Sequence, residues 1–209
     1  MFTQEFAKNI QKQPLSIARL TDNLVVNDLN DVSDIRNAVG VMKKIVNFFR
    51  DSPKRRALLP NLPLLCETRS IRVFSHNFDK IFDCLADLEM TAAGQTGQTA
   101  HVLLSACSSC TFLICLFIVA NYSSILEPVA QMLQSVQLDV VKAQQHISSL
   151  INIIKNHRDH AEEHFWDDIL SKARPLADKL GIELVLPGIC SRQTHRANST
   201  GMDFETYYR

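Results

Sequence analysis

The sequence has 209 residues, the length of one ordinary domain, and its 22 basic and 22 acidic residues cancel to a formal net charge of zero. Bulk charge therefore draws it neither to nucleic acid nor to an anionic membrane, and any such binding must come from a local patch. Hydrophobic residues at 46%, charged residues at 21%, 6 Gly and 7 Pro exclude collagen-like, low-complexity and mainly disordered chains.

Six cysteines are too sparse for a small disulfide scaffold. The start, MFTQEFAKNIQKQPLS, lacks the apolar stretch of a signal peptide, so reduced thiols inside the cell are expected.

In chain order, the first clear period lies in DVSDIRNAVGVMKKIVNFFRDSP. Ile35, Ala38, Val39, Met42, Ile45, Val46 and Phe49 fall at helical spacing, which predicts an amphipathic helix capped by Asp31 or Ser33 and stopped by Pro53. PNLPLLCETRS reads as too proline-broken to be regular. Ser75 is then the expected N-cap of a helix over HNFDKIFDCLADLEM, with Phe78, Ile81, Phe82, Leu85 and Leu88 as its apolar stripe.

Gly94 and Gly97 mark a loop before HVLLSACSSCTFLICLFIVANYSSILEP, the most apolar stretch of the chain. Between Glu89 and Glu127 only His101 can carry a charge. A helix apolar all round is buried in one solvent or the other. A single membrane span over 102–120 has the length, but Ser105, Ser108, Ser109 and Thr111 interrupt it and no Lys or Arg flanks it as a topology signal. A buried core helix is the preferred reading.

Pro128 suits the first turn of a further helix running from Val129 to Ile154 at 3–4 spacing. In the next, Phe165, Ile169, Ala173, Leu176, Ala177 and Leu180 recur, Pro175 bends the middle and Gly181 ends it in a left-handed turn. A polar tail closes the chain. The fold class expected is all-α.

Three clusters hold chemistry-bearing residues. Cys107 and Cys110 form a C-x-x-C, but in an apolar helix without a second ligand pair, which points to inert buried thiols. His157, His160 and His164, with Glu163 beside them, could share a helix face and hold a metal. They match no known ligand signature, so no metal or other cofactor is assigned. The densest cluster is basic: Lys43, Lys44, Arg50, Lys54, Arg55 and Arg56 lie within fourteen residues containing one acid, Asp51, with Phe48 and Phe49 among them. Such a patch can contact phosphates, act as a nuclear import signal, or be the solvated face of an amphipathic helix. No G-x-S-x-G, H-E-x-x-H or P-loop pattern occurs, and no catalytic residue is assigned.

Several segments together resemble the hAT superfamily of DNA transposases and the host genes derived from it, in the branch of the zinc finger MYM-type and THAP-domain proteins. They are NLVVNDLNDVSDIRNAVGVMKKIVNFFRDSPKRRALLP, LCETR from Leu65 to Arg69, FLICLFIVANYSSILEPVAQMLQSVQLDV, SRQTHRAN and ETYYR. The resemblance implies an irregular helical array of the kind inserted into the RNase H-like core of those enzymes, spanning 23–186. An unassigned segment, 1–22, would precede it, and a short extended, polar C-terminal tail, 187–209, would follow.

Family members cut DNA with three metal-binding carboxylates, in regions upstream of Asn23 and downstream of ETYYR that this sequence does not contain. The family's C-x-x-H before the Leu-rich segment is replaced by ARLTD. The Trp that normally follows the Arg of LCETR, and that holds an extruded base, is missing after Arg69. The resemblance thus implies a truncated, catalytically inactive remnant in the nucleus, with nonspecific DNA and related hAT-derived proteins as partners and no membrane. Arg69 and Arg72 join the basic cluster as candidate nucleic-acid contacts. The rival readings are the single-span membrane protein and a helical adaptor that binds no DNA.

Overall fold

A computed structural model describes residues 32–60, 68–133 and 140–185. The expected boundaries at 22/23 and 186/187, the Asp31 cap and the C-terminal tail lie outside these residues. Within them the protein is all-α, with no strand. In chain order the helices are α1 (Ser33–Arg50), α2 (Pro53–Leu58), α3 (Thr68–His76), α4 (Phe78–Thr91), α5 (Gln95–Cys107), α6 (Cys110–Leu133), α7 (Val140–Asp159) and α8 (Ala161–His164). A π-helical segment (Phe165–Leu170) then leads into α9 (Ser171–Leu180).

α6 is the axis of the bundle, packing against α1, α3, α5, α7, the π-helical segment and α9. Its residues 112–116 are buried in an unbroken run, which a helix can tolerate only when neighbours cover it on every side. Among the described residues it is the one helix long and apolar enough to cross a membrane, yet 56% of its apolar window is buried inside the bundle. Burial of that stretch against protein is what its all-round apolarity leads one to expect.

The seven apolar positions read for α1 are all buried, together with Phe48. Phe78 of α4 meets Phe74 of α3 at 6.0 Å and Phe112 of α6 at 5.5 Å between ring centroids. Such tilted ring contacts favour a particular helix orientation beyond simple area burial.

Several boundaries differ from the sequence reading, each for a local reason. Ser33 is the first residue of α1, and Val32 occupies the N-cap with no side-chain cap. Pro53 separates two helices and opens α2 at its first turn, where its missing N–H costs nothing. The segment 60–70 reads as irregular from its prolines, but its last three residues begin α3. Ser75 is buried inside α3, where its hydroxyl donates to the Arg72 carbonyl at 2.8 Å. The N-cap of α4 is Asn77.

Of the two loop glycines, Gly94 has a positive φ (66°), at the N-cap of α5. Gly97, expected in the loop, is buried within α5, where a Cβ would collide with the Ala92 carbonyl oxygen. The absence of a side chain is what lets α4 and α5 approach so closely. The apolar stretch breaks at Ser108–Ser109, and Pro128 lies inside α6 instead of starting a new helix. Gly181 ends α9 at φ 67°, ψ 28°, as read from the sequence.

Candidate functional site

The basic cluster lies at the corner between α1 and α2. Core packing claims the apolar stripe of α1, which leaves Lys43, Lys44 and Arg50 exposed on the opposite side. Lys43 and Arg50 are seven residues apart, so they share a face and stand roughly 10 Å apart along the axis, the rise of about three nucleotides on one strand.

α2 continues the patch with exposed Lys54 and Arg56. Arg56 Nη2 donates to the Arg50 carbonyl at 2.7 Å, which satisfies an orphan oxygen at the α1 C-terminus and ties the two helices together. Arg55 does a different job. It is half-buried, its Nε donates to the Phe48 carbonyl at 2.6 Å, and its guanidinium lies 4.3 Å from the Phe48 ring centroid. Arg55 is a clamp on the corner more than a presented charge.

Of the two other candidate cations, Arg72 is engaged elsewhere. Arg72 on α3 pairs with Glu127 of α6 at 3.2 Å. Glu127 is buried and also accepts from Gln131 at 3.0 Å, so Arg72 neutralises a buried carboxylate between two core helices. The side chain of Arg69 lies outside the described atoms.

The histidines fall where α7 ends. The chain turns at His160, so the expected face of three histidines is not formed. His160 is exposed, with its Nδ1 against the Asn156 carbonyl at 3.1 Å. His157 and His164 instead stack across the turn, centroids 3.8 Å apart and planes at 22°. His164 Nδ1 meets Asp168 Oδ2 at 3.1 Å, and its Nε2 lies 3.2 Å from Asn156 Nδ2. Each ring nitrogen of His164 thus has a polar partner, Asp168 on Nδ1 and Asn156 on Nε2.

Burial, reinforced by the charge of His164, holds the His157 imidazole below its usual range. The pair lines a cleft of about 150 Å³ with Tyr122 and Asn121 of α6. Asp168 is the member that sequence spacing missed. Its place four residues after His164 was visible, but the π-helical segment that sets it against the His164 ring was not.

The C-x-x-C thiols behave as expected for inert core groups. Cys107 and Cys110 are buried, and burial pushes the Cys107 thiol up to about 12, as it does Cys115. Asp159, Glu162, Glu163 and Asp167 line an open depression beside His160 and Trp166.

No family model, curated protein or solved structure matches the chain.

Proposed function

We propose that this chain is a catalytically inactive helical remnant of a hAT-type transposase, acting in the nucleus as a low-affinity, sequence-independent nucleic-acid-binding module. The observation that carries the reading is the corner of α1 and α2, where Lys43, Lys44, Arg50, Lys54 and Arg56 are all exposed. Side chains of this kind neutralise phosphates without reading bases.

Catalytic inactivity belongs to the same proposal. Two-metal DNA cleavage needs several carboxylates converging on one ion pair. The acids Asp159, Glu162, Glu163 and Asp167 sit along one surface segment, and they form no such group among the described residues.

The test is fluorescence anisotropy of the full chain with labelled duplexes of unrelated sequence. Replacing Lys43, Lys44 and Lys54 with Glu, while leaving the Arg55 clamp and the Arg56 tie intact, should weaken binding at least tenfold to every duplex without changing the helical circular dichroism. Equal binding by this variant would remove the corner from the account and favour a helical adaptor.

A second reading, pairing with a related chain, is favoured by α7. Among its described side chains only Ala143, Leu150 and His157, spaced by seven, turn inward, whereas Ile147, Ile151 and Ile154 are exposed in a stripe. Light scattering that reports a concentration-dependent dimer, lost on replacing Ile147 and Ile154 with Lys, would support it.

A further inference from the structure

We infer that His157, His164 and Asp168 form a binding site for a zinc-class divalent cation that pins the C-terminal end of α7 to the π-helical segment. The three residues each offer one ligand atom, and these atoms lie within 4.8 Å of one another. All three are half-buried, so their donor atoms are only partly satisfied by water.

The donor set decides the class of ion. Two imidazole nitrogens and one carboxylate suit zinc and its first-row neighbours, whereas magnesium and calcium require mainly oxygen ligands. The spacing fits as well. Zinc–ligand bonds of about 2.0–2.1 Å put tetrahedral ligands about 3.3 Å apart, and His164 Nδ1 and Asp168 Oδ2 already stand at 3.1 Å. His157 completes the set by a side-chain rotation that opens its stack on His164 and draws its nitrogen inward.

Three protein ligands leave a fourth position for water or for a group from the cleft floor, where the Tyr122 ring lies 6.0 Å from His157. The ligands come from α7, the end of α8 and the segment after it. α7 is otherwise exposed along most of its length. A cation here therefore fastens a largely exposed helix to the bundle, and metal binding is coupled to local order.

The experiment uses the full chain with zinc chloride and, separately, cobalt(II) chloride. Calorimetry should give one saturable zinc site per chain, and a hundredfold excess over its Kd should raise Tm by about 5–10 °C. His157→Ala, His164→Ala and Asp168→Asn should each weaken binding at least tenfold, while His160→Ala should leave it unchanged. Circular dichroism of the metal-free variants checks their folding, and the conservative Asp168→Asn keeps the test valid if a histidine variant unfolds.

Cobalt should give the visible bands of a tetrahedral nitrogen–oxygen site. Absence of saturable binding, dependence on His160 in place of Asp168, or a thiolate-to-cobalt charge-transfer band marking a cysteine site would each overturn the inference.

Discussion

Replacing Arg72 with Ala separates a structural cation from a phosphate contact. Its partner Glu127 has a side chain only 11% exposed, whereas Arg72 itself is 42% exposed, with 3.2 Å between the charged atoms. At that distance the Coulomb energy is about 5 kcal/mol at an effective dielectric of 20 and about 1.3 kcal/mol in water.

Removing one member of a fully buried pair costs about 3–5 kcal/mol, and exposed pairs contribute about 0.2–1 kcal/mol. Water already reaches Arg72 and will reach Glu127 through the vacated space, and Gln131 still donates to the carboxylate. The expected loss is therefore about 1–2 kcal/mol, or roughly 2–8 °C in Tm for a chain of this size. Urea unfolding of Arg72→Ala, Glu127→Gln and the double variant measures it, and the double variant should lose less than the sum of the single losses. If Arg72→Ala unfolds like the parent chain while its affinity for DNA falls, Arg72 belongs to the nucleic-acid surface and the reasoning fails.

Leu113 is fully buried in α6, so Leu113→Ala should lose about 2–5 kcal/mol. Phe117, which is only half-buried, should lose less on truncation; the reverse order by thermal or urea unfolding would contradict the seating of α6. Asp79 accepts from Lys179 at 2.8 Å, and this bond, opposed in part by desolvation, lowers its carboxyl below its ordinary 3.8. A depressed acid contributes stability that is complete above the unfolded value and is lost as pH falls through the folded one. Asp79→Asn should therefore flatten the decline in stability below about pH 3.8, and an unchanged acid limb would remove the bond from the account.

The helical periods of α1, α4 and α9, the burial of α6 and the Gly181 terminator were legible because each follows from spacing or from a single φ requirement. What escaped is what packing decides. Gly97 is a turn signal by composition but is helical here because two helices need its missing side chain. Pro128 reads as a helix start yet is carried inside α6, where neighbouring helices hold the axis.

The site was legible in part for the same reason. Lys43, Lys44 and Arg50 lie opposite a strong apolar stripe, so their exposure followed from it. The engagement of Arg55 with Phe48 and of Arg72 with Glu127 depends on residues brought together by tertiary structure. His160 fell out of the histidine face because the helix turns there, and Asp168 entered through a segment wound with a wider helical period.

The salt dependence of duplex binding tests the central claim most directly. Each neutralised phosphate contributes a slope of about −0.9 to log K against log salt, so the five exposed cations of the α1–α2 corner should give a slope of about −3 to −4.5, with a Kd of roughly 10⁻⁴ to 10⁻⁶ M at physiological salt and no preference among duplex sequences. A slope near zero, or no binding even at roughly 50 mM salt, would contradict the account.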